Sequence, residues 1–574
     1  MVYSVPEASF QVLIDGILNN PKTNAPDDVK ALASNVHFKG TDSPSIPINW
    51  RFAESISALK AYEGLSLAAL ISQKYKTEAP MMTIDTDHAQ LSIMSPMVVT
   101  YQRTTDKQPV SLFHPDYRII TAQHFKDMDK FKSIDYPWNS LTTNIYKTKD
   151  GRYYHIHGSM NSSFTKSALG IPQQPPKDPI SFDEALPIFQ QAVAEHNADA
   201  LDTMMNDVHK QAGTICYTVD DFKATDHYKS NAHVELFETH RVDDGTPASW
   251  WKLADQGSVE RPLAGLKVLD LTRVIAAPAV TRSLAEYGAS VMRVTSPNLP
   301  DMSALHPDLS WGKWQCELDF HNEHDRQKLL ELLEEADVVV EGYRPYHLEK
   351  YGLGKDNLLA LARRRGRGII YVRENCYGWQ GPWHERIGWQ QISDAVCGVS
   401  CSFADALGAK GEAITPVFPN SDFCTGTAGA IAVIQALTEQ AKNGGSHVVD
   451  LALNYYSMWL VDQVGTYDDE QWKKLWESNG KPSFRHYDNM QRLLPQYIGL
   501  LRKHSPHLFQ PAFFKTESLL DDSTQITLVA PTVEFSGPTQ PGYHIKARGN
   551  GTDAPSWPNN LVTQIVCEPS QVSV

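Results

Sequence analysis

The chain has 574 residues, of which 41% are hydrophobic and 21% are charged, close to the average of folded globular proteins. At roughly 150 residues per domain, this length predicts about three or four domains, or two large ones. With 52 Lys and Arg against 67 Asp and Glu, the net charge is −15, which argues against a nucleic-acid partner because a nucleic-acid-binding face needs an excess of cations. An anionic ligand must therefore be bound by a local group of positive residues.

No run of the sequence approaches the ~18 to 20 consecutive apolar residues of a membrane-spanning helix. The first residues, MVYSVPEASFQ, lack the basic region and apolar stretch of a secretion signal, so we expect a cytoplasmic protein with no membrane partner. Seven cysteines without a CxxC pair predict neither a disulfide framework nor a zinc site. The close pairs Cys397 with Cys401 and His155 with His157 have no convincing third ligand nearby, so no metal centre is predicted.

The first 260 residues have polar connections and one clear hairpin pattern. The run YKTKDGRYYHIHG (146–158) alternates in polarity on both sides of Asp150-Gly151. This dipeptide is typical of a two-residue turn between antiparallel strands. We therefore predict a smaller α+β domain in this part of the chain.

Strands and helices alternate from residue 261 onward. Short apolar strands are predicted at KVLDL (267–271), SVMRV (290–294), DVVVEG (337–342) and GIIYVREN (368–375), with helices at 279–288, 328–336 and 356–366. This alternation predicts an α/β fold, with a parallel sheet covered by helices on both faces. Such sheets bind ligands beyond the carboxyl ends of their strands, so we look for a ligand at the turns after the first three.

A helix rich in small residues follows the loop TPVFPNSD (415–422) and is predicted to end at Asn443-Gly444-Gly445. Asp422 stands at its start, where the backbone amides of the first turn are free to approach an anionic intermediate. A carboxylate there could act as a nucleophile, but Asp is also a common N-cap that stabilises a helix by about 1 kcal/mol without any catalysis. Gly426 and Gly429 fall inside this predicted helix, where glycine is unfavourable. They therefore indicate either the close approach of a ligand or tight packing against another helix.

Other chemical signals are weaker. The sequence contains no Walker A run, no G-x-S-x-G, no HExxH and no G-x-G-x-x-G after the first strand. A basic run could attract phosphates, but it falls at a predicted helix C-terminus, where cations are favourable in any protein. It comprises Arg363, Arg364, Arg365 and Arg367.

Two pairs of segments resemble each other. Residues 54–85 are similar to 421–450, and residues 244–256 are similar to 550–564. The pairing indicates an ancient duplication with partial loss, although similarity this low can also arise by chance.

The segment RPLAGLKVLDLTRVIAAPAVTRSLAEYGASVMRV (261–294) resembles the opening of the family III CoA-transferases, a family that also includes formyl-CoA transferases and α-methylacyl-CoA racemases. The resemblance continues through ADVVVEGYRP (336–345), GIIYVRENCYGWQGP (368–382) and PNSDFCTGTAGAIAVIQAL. It thus covers roughly residues 261–460. The hairpin YKTKDGRYYHIHG is similar to one that the family normally carries in a C-terminal small domain.

This resemblance implies the family III CoA-transferase fold, a Rossmann-like parallel-sheet domain with a smaller α+β domain, in which two copies interlock. We accordingly expect three regions in a rearranged, partly duplicated chain of fungal type. They are residues 1–260, a degenerate first copy with the small-domain-like region; 261–460, the CoA-binding domain with the Asp422 segment; and 461–574, a worn small-domain-like region. A homodimer or a fused pseudo-dimer is expected.

By the same resemblance, Asp422 matches the aspartate that attacks the acyl thioester. The attack gives a mixed anhydride and CoA thiolate, which returns to form an aspartyl-CoA thioester before an acceptor acid takes the CoA. The implied substrates are an acyl-CoA and a carboxylic acid, with no tightly bound cofactor. The implied CoA contacts are Val274, Ile275 and Ala276 at the first turn, and Lys313, His321, Tyr343 and Lys350.

Departures from the family pattern leave two alternatives open. Trp389 stands where the racemases have a histidine, so racemisation would need His384 to reach in. Thr295-Ser296 replaces an acidic residue followed by Arg, and Gly342 replaces a common Asn. The alternatives are an α-methylacyl-CoA racemase or epimerase, and a catalytically inactive CoA-binding scaffold. CoA transfer is preferred because tryptophan cannot carry a proton at neutral pH.

Overall fold

The computed structural model describes residues 3–133, 136–252 and 258–567. No helix within these ranges combines the length and the apolar character needed to cross a membrane. The strands in these ranges are β1 (Val36–Lys39), β2 (Met82–Asp85), β3 (Thr100–Arg103), β4 (Val110–Ser111), β5 (Asn144–Lys147), β6 (Tyr153–Ile156), β7 (Gly213–Ile215), β8 (Glu238–Val242), β9 (Lys267–Leu271), β10 (Ser290–Thr295), β11 (Lys313–Glu317), β12 (Val338–Glu341), β13 (Ile370–Asn375), β14 (Ser446–Ala452), β15 (Phe514–Ser518), β16 (Thr524–Val529) and β17 (Val533–Phe535).

The α-helices are distributed along the whole described chain. They are α1 (Val5–Gln11), α2 (Asp27–Lys30), α3 (Phe52–Tyr75), α4 (Thr86–Ala89), α5 (Asp116–His124), α6 (Pro137–Ser140), α7 (Ser163–Ala168), α8 (Phe182–Ala194), α9 (Ala198–Asp202), α10 (Val219–Ala224), α11 (Asp226–Asn231), α12 (Ala276–Glu286), α13 (His306–Leu309), α14 (Glu323–Glu335), α15 (Lys355–Arg365), α16 (Gln390–Val396), α17 (Val399–Ala406), α18 (Asn420–Asn443), α19 (Leu453–Trp459), α20 (Asp469–Ser478) and α21 (Met490–His504).

A seven-stranded sheet organises the second half of the chain. Its order is β11-β10-β9-β12-β13-β14-β8. All neighbours are parallel except β8, which pairs antiparallel with β14. The chain runs outward from β9 to β11 and then returns to β12 on the other side of β9, which opens a crevice at the carboxyl ends of β9 and β12. The predicted α/β fold with a parallel sheet is confirmed.

Helices cover both faces of this sheet because alternate residues of each strand point to opposite sides. Val338 and Val340 pack with α12 and α18, while Val339 between them packs with α14 and α15. Both faces are therefore apolar, which explains why these strands read as continuous hydrophobic runs rather than alternating ones.

The two glycines of α18 lie against α12. A Cβ at Gly426 would be 2.4 Å from Ala279 Cβ and 2.9 Å from the Ala276 carbonyl oxygen, and one at Gly429 would be 2.6 Å from Val280. Of the two explanations for these glycines, the structure supports tight helix packing. The packing brings the first turns of α12 and α18 together at the crevice.

The predicted hairpin is present as β5 and β6, which form an antiparallel three-stranded sheet with β7. Its turn is longer than the predicted two residues, because the Thr148 amide donates to the Arg152 carbonyl at 2.9 Å across Lys149–Gly151. Gly151 has φ +84°, so its left-handed backbone closes a three-residue loop that follows the twist of the strands. This sheet and helices α6–α9 form the smaller α+β layer.

A smaller sheet repeats part of the topology of the large one. In the small sheet, β1 and β2 are parallel and β17 pairs antiparallel with β2. In the large sheet, β13 and β14 are parallel in the same way, and β8 pairs antiparallel with β14. The 24-residue helix α3 lies between β1 and β2 in sequence, as the 24-residue α18 lies between β13 and β14. The N-terminal part of the chain thus supplies β8 to the large sheet, and the C-terminal part supplies β17 to the small one.

Candidate active site

The turn between β9 and α12 forms one wall of the crevice. Arg293, itself buried and paired with Asp301 at 2.6 Å, donates two hydrogen bonds of 3.2 Å to the Thr272 carbonyl. Val274 follows with φ +71°, a conformation that is strained for a β-branched residue. Strain of this kind persists where the surroundings hold it in place, and it concentrates at ligand sites. Ile275 and Ala276 are buried, and Val274 is partly exposed.

Lys313 lies beneath this turn rather than in the crevice. Its side chain is fully buried, and its Nζ is 2.9 Å from Asp270 Oδ2 and 2.8 Å from the Pro278 carbonyl oxygen. Asp270 also accepts a hydrogen bond of 2.6 Å from Thr281 of α12. Burial lowers the pKa of Lys313 to about 8 although Asp270 opposes this. Because the side chain of Lys313 is buried and cannot reach a phosphate, we leave it out of the CoA site. Its bonds to Asp270 and Pro278 instead link β9 to α12.

Positive side chains gather at the mouth of the crevice. The Arg273 guanidinium lies 5.1 Å from the ring centre of Tyr343, whose ring also stacks on His347. Burial and Arg273 lower the pKa of Arg344, and burial, Lys350 and these two arginines lower the pKa of His347. Within the described ranges, neither Arg344 nor Lys350 lies within ion-pair distance of a carboxylate. Such mutual repulsion indicates a place for an anion.

Sequence reasoning named Tyr343 and Lys350 for this place and missed Arg273 and Arg344. Both arginines stand within two or three residues of a predicted strand end, in LTRV and EGYRP. Their position at the carboxyl edge was therefore a usable signal. His321 lies at the border of the group, with its exposed ring 6.1 Å from Tyr351 and its Nδ1 2.9 Å from Asp319.

Asp422 is the third residue of α18 and lies on the other side of the turn. The residue before the helix is Pro419, and no side chain caps the helix there, so Asp422 is not an N-cap. Its partly exposed carboxyl accepts no hydrogen bond and pairs with no cation among the described residues. Burial raises its pKa from 3.8 to about 8. A carboxylate that is neither capping nor paired is free to react.

Two further carboxyl groups interact electrostatically with Asp422, and neither was named from the sequence. Burial together with the charges of Asp422 and Glu341 raises the pKa of Glu374 well above its ordinary value. Burial and Asp422 do the same to Asp394, although Gln390 donates a hydrogen bond to it. Glu374 occurs in a run predicted only as a buried strand, a pattern that does not single out this carboxyl group.

The α+β layer packs against α16 and the residue before it, Trp389. The rings of His157 and Trp389 stack with centroids 5.2 Å apart, Trp389 Nε1 donates to Ser159 Oγ at 3.1 Å, and His157 Nε2 is 3.3 Å from Gln391 Oε1. His384 lies against Tyr346 instead, with its Nδ1 2.9 Å from the Gly381 carbonyl oxygen. His384 therefore does not replace the histidine that Trp389 displaces.

Three arginines of the basic run, Arg364, Arg365 and Arg367, have structural partners. The basic run at the end of α15 reaches the end of α14, where Arg365 donates to the Ala336 carbonyl at 2.7 Å and Arg367 pairs with Asp337 at 3.2 Å. Because α15 leads into β13, this run lies at the amino ends of the strands, opposite the crevice.

A group of possible metal ligands, Glu238, His240 and Asp450, has donor atoms within 4.8 Å of one another. Arg373 pairs with both oxygens of Asp450, at 2.5 and 3.0 Å, and Tyr455 donates to Glu238 at 3.0 Å. A guanidinium already supplies the positive charge there, so we assign no metal to this group.

The sequence and structure of the chain are similar to those of known proteins. A sequence model described as CoA-transferase family III matches residues 263–490. The acetyl-coenzyme A transferase nodX of Hypoxylon pulicicidum is 46% identical over 569 residues, 98% of this chain and 95% of that protein. An acyl-CoA transferase of Gibberella moniliformis is 31% identical over 488 residues, 82% of this chain and 81% of that protein. The crystal structure of a hypothetical protein from Mycobacterium tuberculosis, 22% identical, covers 51% of this chain and 97% of its own, with a TM-score of 0.38.

Proposed function

The chain belongs to CoA-transferase family III and is a CoA-transferase, and we propose that it moves CoA from an acyl-CoA thioester to a carboxylic acid through covalent intermediates on Asp422. The observation that carries this proposal is the unpaired carboxyl of Asp422 at the first turn of α18, beside the crevice at the switch point of the sheet. Acetyl-CoA is the first donor to test, since one relative is named for acetyl-coenzyme A transfer.

The cations at the mouth of the crevice would bind the CoA phosphates. They are Arg273, Arg344 and Lys350, with His347 and the more distant His321 at their border. Guanidinium groups bind phosphate oxygens in pairs, and their mutual repulsion is relieved when the anion enters. The pantetheine arm would then pass the backbone of Val274, Ile275 and Ala276, with Tyr343 beside it. This path directs the thioester towards Asp422.

In the reaction, a carboxylate oxygen of Asp422 bonds to the acyl carbon while the carbon–sulfur bond breaks and the thiolate takes the electron pair. The thiolate then attacks Cγ of Asp422 and releases the donor as its carboxylate, leaving an aspartyl-CoA thioester. An acceptor carboxylate repeats the two steps in reverse order and leaves with CoA. Backbone amides in the first turn of α18 would stabilise each oxyanion.

We further propose that the chain is a fused pseudo-dimer with one active site. The divisions at residues 260 and 460 fit the repeated topology of the two sheets and the exchange of β8 and β17. The third residue of α3, at the place of Asp422 in α18, is Glu54. Its side chain is fully buried, and it accepts hydrogen bonds from Tyr467 at 3.1 Å and from Tyr3. A carboxyl enclosed in this way cannot attack a thioester.

The test is chemical trapping. The protein is incubated with a panel of acyl-CoA donors, treated with borohydride or hydroxylamine, and digested for mass spectrometry. We expect the label on the peptide that contains residues 420–430, and loss of both label and turnover in Asp422→Ala with CoA affinity within a few-fold. An unlabelled peptide with every donor contradicts the proposal.

A further inference from the structure

The transfer mechanism proposed above assigns no role to the carboxyl group of Glu374. Glu374 is the fifth residue of β13, and the alternation of the strand turns it towards α12 and α18, the face that also carries Val372. It is partly exposed, and among the described residues its carboxyl has no hydrogen-bond donor and no cation. The neighbouring Arg373 points to the opposite face and is bound to Asp450.

The space for Glu374 is made by Gly342 at the end of β12. A Cβ at Gly342 would lie 2.9 Å from Ala277 Cβ and 3.3 Å from Glu374 Oε2. Its φ is not positive, so the glycine is required by space and not by backbone conformation. The glycine at this position, which departs from the family pattern, therefore leaves room for the Glu374 carboxyl beside Ala277 in the first turn of α12, along which we propose that the pantetheine arm lies.

From this placement, we propose that Glu374 is a second catalytic residue, which donates a proton to the CoA sulfur when the thioester is cleaved and takes it back when the thiol returns. The proposal rests on Asp422 as the nucleophile. It requires that Glu374 be protonated while Asp422 is ionised.

The charges around Glu374 favour that division. The charges of Asp422 on α18 and of Glu341 on β12 both act on Glu374, and its described neighbours on α12 and β14, Ala277 and Leu451, are apolar. Glu341 is itself held by a hydrogen bond of 2.6 Å from Tyr371. Two like carboxyls close together do not both ionise, and the pair divides into a base and an acid.

The proton balance closes over the cycle. When Asp422 forms its bond to the acyl carbon, the carbon–sulfur bond breaks, the electron pair goes to sulfur and the Glu374 proton follows it. The thiol then attacks Cγ of Asp422, and its proton returns to the Glu374 carboxylate as the donor acid leaves as an anion. The acceptor half repeats both transfers, so no proton is gained or lost. Thiols ionise near pH 8.5, so an acid with a strongly raised pKa is a matched partner.

The test compares leaving groups in Glu374→Gln. One assay measures formation of the aspartyl-CoA thioester in a single turnover of the acyl-CoA, and the other measures release of thiophenol from the S-phenyl thioester of the same acid. An aryl thiolate leaves without protonation because its thiol is far more acidic. We expect the first rate to fall about 100-fold and the second less than about 3-fold. Glu78→Gln, which removes an exposed carboxylate in a loop, is the matched control and should change neither.

Equal slowing of both assays would show that Glu374 only shapes the site, and unchanged rates in both would show that it takes no part; either result overturns the proposal. If Glu374→Gln does not fold, Glu374→Asp gives the same comparison, with greater slowing of the CoA thioester as the supporting result. Absence of any label on Asp422 in the unmodified protein would instead overturn the proposed function, so the two failures are distinct.

Discussion

Replacement of Asp422 by asparagine should stabilise the protein while abolishing transfer, and the gain should depend on pH. Burial moves the pKa of this carboxyl from 3.8 to about 8 in the folded protein, whereas the unfolded chain keeps the ordinary value. Between these values, the unfolded chain has lost a proton that the folded chain retains, so stability falls as pH rises through this window. Asparagine does not ionise, so the stability of the variant does not fall in this way as pH rises.

The magnitude follows from the same numbers. One unit of pKa corresponds to ~1.4 kcal/mol, which sets an upper limit of about 6 kcal/mol at pH 8. Since Asp422 is partly exposed, solvent reduces this, and we expect about 2 to 4 kcal/mol. An unfolding entropy of about 2.1 cal/mol/K per residue makes 1 kcal/mol equal to about 1 °C for a chain of this length. The melting temperature of Asp422→Asn should thus exceed that of the parent by about 2 to 4 °C at pH 8.5.

Thermal melts of both proteins at pH 4 and pH 8.5 provide the assay. The difference should be small at pH 4, where Asp422 is protonated in the folded state and still partly protonated in the unfolded chain, and it should reach its full value at pH 8.5. Glu78→Gln removes a carboxylate whose side chain is exposed, and it should show no such growth with pH. A difference that is the same at both pH values, or that Glu78→Gln reproduces, would refute the assignment of a desolvated carboxyl to position 422.

Four more outcomes are expected. Arg344→Ala should raise the KM for acyl-CoA about tenfold with little change in kcat, and added salt should reduce the difference in KM between this variant and the parent. Arg363→Ala, at the opposite edge of the sheet, should change neither KM nor kcat. Steady-state kinetics at two ionic strengths measure both effects. Lys313→Met should leave KM unchanged but destabilise the fold by about 3 to 5 kcal/mol because Asp270 is left buried without its partner, and denaturant titration measures this. Transfer in deuterium oxide without an acceptor acid should leave the α-carbon of the acyl group unlabelled by NMR; label there would support the racemase alternative. Trapping should give one aspartyl-CoA per chain, and a stoichiometry of two would contradict a single site.

The sequence by itself determined the parallel sheet and the edge of that sheet at which we propose that the ligand binds. The strand at 267–271 was placed correctly because runs of β-branched and aliphatic residues between helical segments leave little choice of local structure. The carboxyl edge follows from strand direction alone, and the family resemblance then named Val274, Tyr343 and Lys350, which follow strand ends at that edge. Asp422 was found through its position in the first turn of a helix of small residues.

Only the tertiary structure decided which side chains share a space. Lys313 and Tyr343 both follow from the family resemblance, yet one is buried against Asp270 and the other lines the crevice, because the neighbours of a residue come from distant segments. Glu374 reads as part of a buried strand until Gly342 and Asp422 are brought beside it by β12 and α18. The exchange of β8 and β17 between the two sheets is equally invisible in the sequence, since pairing across hundreds of residues depends on packing and leaves no local pattern.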